Sequence, residues 1–457
     1  MKHSVWAIVL IGFFGMASAE EELVLTIEKS VELAMANNPA YQMKLKEVRK
    51  AKAAVVEAYS NLLPQVNATA SLQHAWAIQQ TTIPNFIKFM LGENFPGASM
   101  MPDYVRISFG LENTFVYGAS LTQPLFLGGA GWAGVQISRA AAEAAEQSLE
   151  ATAQSLRYQT AAAFYGCLLA QEVAHVRKQA LEEAQKNLDI VRKKYEAGAA
   201  SRFDVMRAEV NLANLKPEAI SARNNLQNVM TLLKMTLALP METPIRLEGH
   251  LSFAEDEFTG LALEEYQRMA LQFRPEIKVL DQSKYMAHKG ITAARSAFLP
   301  KVFFQTDYSY MAMRNDMKFA QKDFSKGFTS AVAVQLPLFT GFKSIAQYQK
   351  AQIDYRVVLD TKKQSEDGIA AEVEAAYHKL IEAKERYASA NETVHLAEES
   401  FRLAGMMYEE GANTQLDVFT AQLGLTSARL NYLSSLYDYQ MARYALRLAT
   451  GRLKEIL

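Results

Sequence analysis

Cysteine is almost absent. Cys167 is the only one in 457 residues, so no intrachain disulfide can form. It sits in a helical run beside Phe164, Leu168 and Leu169, a setting that predicts a small buried apolar side chain rather than a reactive thiol. Charge of one sign is also missing: 48 Lys and Arg stand against 49 Asp and Glu, for a formal net charge of −1. A balance this close to neutral carries no electrostatic footprint for nucleic acid. There is no phosphate-binding loop, no Cys-x-x-Cys pair and no nucleophile elbow, so no cofactor and no catalytic constellation is expected. Glu172 and His175 have the Glu-x-x-His spacing of di-iron helical bundles, but such a site needs a second copy. The corresponding positions hold Glu385 and Ala388. Glu374 and His378 read as a helical i,i+4 charge contact.

Long apolar runs are confined to the start. Lys2, the apolar stretch Trp6 to Met16 and the small-x-small Ala17-Ser18-Ala19 predict a secretory signal peptide over residues 1–19. The run is short for a membrane anchor, and no later segment approaches a spanning helix. No cysteine follows the predicted cleavage site, which excludes a lipid anchor on the processed N-terminus.

Proline is missing from Gly131 to Glu196, a stretch rich in Ala, Glu, Gln, Leu, Lys and Arg. These are good helix formers, and about 65 helical residues would extend roughly 100 Å. Leu181, Ala184, Leu188, Val191 and Tyr195 follow 3-4-3-4 spacing, and so do Val394, Ala397, Phe401, Ala404 and Tyr408. That is the seam of a coiled coil. Both seams end at a glycine, Gly198 and Gly411, suited to a left-handed helix end. Ser201 and Thr414 then offer caps for returning helices, expected from Phe203 to Leu239 and from Leu416 to Ala449.

What is present is present twice. Leu25 to Pro39 returns at Leu261 to Pro275, and Ser60, Leu63 and Pro64 return as Ser296, Leu299 and Pro300, all at an offset of 236. Pro124-Leu125-Phe126-Leu127-Gly128 returns as Pro337-Leu338-Phe339-Thr340-Gly341 at an offset of 213, as do the tip residues around Gly198 and Gly411. The halves therefore differ mainly by a 23-residue insertion between Pro64 and Pro124. Such self-similarity predicts one architectural unit used twice: repeat 1 over 20–240, a linker over 241–260 and repeat 2 over 261–457. Each repeat would open with a helix broken near Pro39 or Pro275. The tips of the helical hairpins would fall near 198–201 and 411–414.

Between the helices the period changes to two. Strands are expected at about 65–76 and 113–126 in the first repeat and about 301–312 and 329–339 in the second, with the faces of the last less distinct. In an exported chain, apolar/polar alternation fits a membrane barrel as well as a half-buried soluble sheet. Four strands cannot close a membrane barrel, whose usual minimum is eight. An open edge in hydrocarbon leaves backbone groups unpaired at several kcal/mol each. Insertion should therefore require an oligomer. The loop Ala77 to Leu111, rich in Phe, Met and Pro, and the shorter charged loop Ala312 to Phe328 could each lie outside or fold over a mouth.

The order of these features, with the tip patterns Tyr195-x-x-Gly198-x-x-Ser201-x-x-Asp204-Val205-x-x-Ala208 and Tyr408-x-x-Gly411-x-x-Thr414-x-x-Asp417-Val418-x-x-Ala421, resembles the TolC-like outer membrane efflux proteins. The resemblance spans nearly the whole processed chain. It implies a mainly α fold: long coiled-coil helices in a trimeric periplasmic α-barrel, and four strands per chain in a 12-stranded transmembrane β-barrel seated in outer membrane lipid of a Gram-negative type of cell. The implied homotrimer is a passive exit duct for efflux or type I secretion, meeting a periplasmic adaptor at tip residues Gly198, Ser201, Gly411 and Thr414, with an inner-membrane pump supplying energy. It also implies a closing network containing Asp204 and Tyr408 and an entrance ring containing Asp417. Two family features are absent: Asn413 stands where relatives carry arginine, and Thr420 where they carry a second aspartate. A weaker lock and a less acidic entrance are therefore expected. Asp417 would either select cations or simply cap the returning helix. The competing readings are a non-conducting coiled-coil protein of the envelope and a soluble periplasmic helical-bundle enzyme.

Overall fold

A computed structural model describes residues 22–91 and 96–455; the expected signal peptide lies outside them. The chain divides into two compact units. One contains residues up to Arg49, Glu143–Asp281 and from Asp360 onward; the other contains Lys50–Ala142 and Gln282–Leu359.

The elements run in order: β1 (Leu23–Leu25), α1 (Ile27–Asn37), α2 (Pro39–Ser60), β2 (Gln65–His74), β3 (Gln80–Pro84), α3 (Phe86–Leu91), β4 (Tyr104–Ser108), β5 (Asn113–Leu127), α4 (Ala130–Glu196), α5 (Arg202–Thr236), β6 (Ile245–Leu247), α6 (Leu263–Phe273), α7 (Pro275–Arg295), β7 (Lys301–Arg314), β8 (Ser325–Gln335), α8 (Lys343–Glu409) and α9 (Gln415–Ala449). Proline acts where expected. Asn38 and Arg274 are extended, with ψ of 122° and 128°, because the ring of the following proline disfavours helical ψ in its predecessor. Pro39 and Pro275 then open new helices.

The first unit is helical. One apolar core gathers Leu25, Ala34, Phe164, Cys167, Leu233 and Ile245 from β1, α1, α4, α5 and β6. Cys167 is fully enclosed there, and burial pushes its thiol pKa up to about 12, so it packs and does not react. A second core gathers Tyr266, Ile277, Val373, Tyr439 and Leu446 from α6, α7, α8 and α9.

The segment expected as a linker, 241–260, is held structure. Ile245–Leu247 pairs parallel with Leu23–Leu25. Ser252 and Ala254 accept hydrogen bonds from Gln440 and Tyr439 at 2.8 and 3.1 Å. Asp256 accepts from Arg443 and Arg447 at 2.8 and 2.6 Å. Three-residue strands leave too little alternation to be read from sequence.

The second unit carries a four-stranded antiparallel sheet in the order β2-β5-β7-β8 and a separate two-stranded sheet, β3-β4. Three strands differ in their bounds from expectation. The first stops at His74, the third runs on to Arg314, and the fourth runs Ser325–Gln335, not 329–339. Pro124 lies inside β5, where the ladder shifts register between Pro124 and Phe126. Its counterpart Pro337 lies beyond the end of β8. At Pro124 the β2 ladder has already ended at Thr122, so β5 is paired there with β7 alone and the bulge absorbs the missing N–H; β8 ends before its proline. β7 continues to Arg314, whose guanidinium closes the following loop onto Asp316 and Asp323 at 2.6 and 2.9 Å.

Candidate functional site

The sheet is sorted into two chemical faces by its register. One face carries the rows Val66-Leu121-Thr306-Ser330, Ala68-Ala119-Tyr308-Phe328, Ala70-Tyr117-Tyr310-Lys326 and Leu72-Phe115-Ala312. The other carries Gln65-Thr122-Gln305-Ala331, Asn67-Ser120-Asp307-Thr329, Thr69-Gly118-Ser309-Gly327 and Ser71-Val116-Met311-Ser325. The first is dominated by aromatic and aliphatic groups, the second by amides, hydroxyls and glycine. Register also resolves β8, whose own sequence left its faces indistinct: Phe328, Val332 and Val334 fall on the apolar side. Tyr117 stacks on Tyr310 with centroids 5.2 Å apart. Phe319 and Phe324 from the β7–β8 loop fold onto the same side against Phe115. Every residue of the two edge strands, β2 and β8, is exposed.

The tips are built from two chain reversals of the same design. At the first, Gly198 has φ 74°, its N–H donates to Tyr195 O at 3.0 Å, and the Ala199 N–H donates to Lys194 O at 2.7 Å. At the second, Gly411 has φ 78° and the same two bonds run from Gly411 to Tyr408 and from Ala412 to Met407, at 3.1 and 2.7 Å. This is the Schellman closure, which needs a left-handed residue and so favours glycine. Each returning helix then starts on a hydroxyl and an aspartate. Asp204 Oδ2 accepts from Ser201 N at 3.0 Å and Ser201 Oγ at 2.7 Å, while Asp204 N donates back to Ser201 Oγ. Asp417 Oδ2 accepts from Thr414 N at 2.8 Å and Thr414 Oγ1 at 2.6 Å. These hydrogen bonds hold both carboxyls below the usual carboxylate range.

Asp204 and Asp417 therefore do the same local work, finishing the exposed donors of a helix start. Asp417 is exposed, as is Thr420 further along α9. Asn413 turns inward, its Nδ2 donating to Ala404 O at 3.1 Å. Gly198, Ser201, Gly411 and Thr414 are all exposed.

The two tips are packed together, and unequally. Ala184, Leu188 and Val191 of α4, Ala208 and Leu212 of α5, Tyr408 of α8 and Val418 of α9 share one apolar cluster. Tyr408 is 9 % exposed, whereas Tyr195, its counterpart at the first tip, is 47 % exposed and leaves the expected seam. Burial raises the Tyr408 phenol pKa, and the nearby Asp204 charge adds to the shift. Lys194 joins the two tips. Its ammonium sits 4.1 Å from the centre of the Tyr408 ring and donates to the Tyr408 and Glu409 carbonyls at the end of α8. Further along the same hairpins, Gln422 donates to Ala180 O at 3.1 Å. Arg429 faces both Glu183 at 3.8 Å and Glu398 at 3.1 Å. The family resemblance implied a network of Tyr408 and Asp204 but gave no hint of Lys194. The only signal was a lysine in the last turn of a helix, where unpaired carbonyls attract cations.

Among the described residues no group of three His, Cys, Asp or Glu side chains is placed to hold a metal ion. Glu172 and His175 instead line a groove between α4 and α5 with Lys178, Lys216 and Arg223.

The sheet thus has one apolar and one polar face, and the chain pairs it with two long helical hairpins. Residues 31–237 and 267–452 match the family model described as outer membrane efflux protein, and the chain belongs to that family. It is 24 % identical over 355 residues to the outer membrane efflux protein BepC of Brucella suis, covering 75 % of this chain and 73 % of that one. It is 20 % identical over 334 residues to the outer membrane protein TolC of Escherichia coli, covering 71 % and 67 %. The crystal structure of the Campylobacter jejuni CmeC outer membrane channel shares the fold, with a TM-score of 0.76 at 19 % identity over 93 % of this chain and 86 % of that one. The protein is an efflux channel of the outer membrane.

Proposed function

We propose that three copies of the chain pool their sheets into one 12-stranded barrel, and that the resulting homotrimer is the exit duct of a tripartite efflux or type I secretion machine. The observation that carries this is the sheet: four strands, one apolar and one polar face, and two edges open to solvent. Alone in hydrocarbon, each open edge would leave backbone N–H and C=O groups unpaired at several kcal/mol apiece. Pairing β2 of one copy with β8 of the next removes every edge at once, turns the apolar rows to lipid and leaves the amide and hydroxyl rows around a wet lumen.

A twofold repeat supports the same reading. The halves contribute helices of matching length: 11 residues in α1 and α6, 67 in α4 and α8, and 35 in α5 and α9. Six hairpins would then ring a threefold axis in the periplasm, with the exposed turns at Gly198, Ser201, Gly411 and Thr414 presented to a periplasmic adaptor. Transport energy would enter from an inner-membrane pump, the duct itself carrying out no reaction. Within each copy, Lys194, Gln422 and Arg429 tie the second hairpin to the first, so opening of the inner end requires those contacts to loosen.

The test is purification in mild detergent, mass measurement by light scattering, and conductance in planar bilayers. A trimer that conducts is expected. A lone folded subunit with its sheet complete, or a trimer that never conducts, rejects the duct.

A further inference from the structure

The insertion that distinguishes the first half from the second contains β3, α3 and β4, and its surface is inverted. On α3, Phe86, Ile87, Phe89 and Met90 are 60, 64, 87 and 86 % exposed. The one charged residue of the helix, Lys88, is 31 % exposed, and its charge is matched by Asp103, itself 76 % exposed, at 2.5 Å. Asn85, itself buried, fixes the helix start by donating from Nδ2 to Pro102 O at 3.0 Å and from its N–H to Asp103 O at 2.9 Å. A helix facing water would present the lysine and hide the phenylalanines, so this one is held rigidly with its apolar side out.

The direction in which the insertion leaves the sheet identifies what covers it. Along β2, Leu72 and His74 lie on the apolar face, and Trp76, two residues past the end of the strand, is 93 % exposed. Its ring meets His74 edge-on at 4.6 Å. At the same end of the sheet, the β7–β8 loop also leans to the apolar face, laying Phe319 and Phe324 over Phe115 and Tyr117. Chain folding inward over a lumen would lean to the amide and hydroxyl face instead. Mixed Trp, Phe and Met surfaces bordered by paired or interfacial charges are suited to the acyl–headgroup boundary of a bilayer.

We propose that the β3–α3–β4 insertion is a membrane anchor that lies beside the barrel in the outer leaflet, with Phe86, Ile87, Phe89 and Met90 immersed among acyl chains. This rests on the reading that the four-stranded sheet sits in the membrane. Three such anchors per trimer would fix the depth and tilt of the barrel.

Spin labels on F89C and M90C test the proposal, because the one native thiol, Cys167, is buried and competes poorly for reagent. The full-length protein is reconstituted in phosphatidylethanolamine–phosphatidylglycerol vesicles with a nickel chelate on both sides of the membrane. Relaxation by oxygen, which concentrates in lipid, is compared with relaxation by the water-soluble chelate. The expected result is loss of chelate broadening and gain of oxygen broadening at both sites, as at V332C on the apolar face of β8, with full chelate access retained at T82C on β3. Equal chelate access at Phe89, Met90 and Thr82 overturns the anchor. Dipolar broadening between labels overturns it too, because the patch would then be covered by a second copy at the mouth. Chelate access at Val332 as well removes the membrane-sheet reading and the anchor with it, so the two failures are distinguishable.

Discussion

Lys194 has no equivalent at the second tip, where Met407 occupies the corresponding position. That difference makes the tips unequal. The ammonium satisfies two carbonyls at the end of α8 and faces the Tyr408 ring, a cation–π contact of about 0.5–1 kcal/mol at a partly exposed site. Lys194→Met should leave the fold intact and raise the open fraction severalfold in single-channel records, since the proposed trimer would lose three such contacts. Unchanged conductance and opening frequency would remove Lys194 from the lock. Asp417 poses a separate question, since its carboxylate is already engaged by Thr414. Asp417→Asn keeps a hydrogen-bond acceptor and deletes the charge, so reduced cation selectivity is expected if the carboxylates ring the entrance. Unaltered selectivity would leave capping as their whole role. Acid provides a further test of the caps. Asp204 and Asp417 titrate lower in the folded tips than in an unfolded chain. Their stabilisation is therefore fully present above about pH 4, the unfolded carboxylate value, and is lost as pH falls through the depressed folded one. Amide exchange at 198–205 and 411–418, corrected for intrinsic rate, should show constant protection from pH 7 to 5 and lose it only under stronger acid.

Among the elements, long helices were the most legible, because period and proline breaks act locally. α4, α5 and α9 fall within a few residues of expectation, α8 contains the expected second seam, and the breaks sit at Pro39 and Pro275. The three-residue strands β1 and β6 were not legible, since a parallel pairing between residues 23–25 and 245–247 leaves no local trace. Nor were the faces of β8, which become distinct only when paired with β7. At the site, Gly198, Ser201, Gly411 and Thr414 could be read because a reversal needs a glycine and a cap at fixed offsets. Lys194 could not, because its value depends on which helix end lies beside it. The sheet also contains a glycine whose role is contact rather than conformation. A Cβ at Gly118 would lie 2.4 Å from Tyr308 O and 2.8 Å from Ser309 Cα, both backbone atoms of β7. Gly118→Val should therefore push β5 from β7, at a cost of about 1–3 kcal/mol by the usual scale of overpacking. The measurable result is a lower midpoint for thermal loss of β-sheet circular dichroism, while the helical signal at the tips persists to higher temperature. An unmoved midpoint would mean that the ladder opens there at little cost.

At the scale of the whole molecule, the helices fill their own cores, but among the described residues the sheet has two open edges and an apolar face that is largely uncovered. Lipid and neighbouring copies would complete it together, since a barrel closed by three chains exists only where its outer face meets hydrocarbon. The two faces of β8 separate these requirements. Val332 lies on the apolar side, in register with Phe304, and Thr329 on the polar side, opposite Asp307; both are exposed in the single chain. Arginine at the midplane of a lipid-facing strand costs about 2–4 kcal/mol, and a trimer would incur this three times. Val332→Arg should thus abolish membrane-inserted trimer in outer-membrane fractions while the helical hairpins still fold. Thr329→Arg, placing the same charge in a wet lumen, should assemble at close to the normal yield and shift ion selectivity toward anions. If both variants assembled equally well, the faces would not be sorted between lipid and water, and four strands per chain would have no membrane to close in.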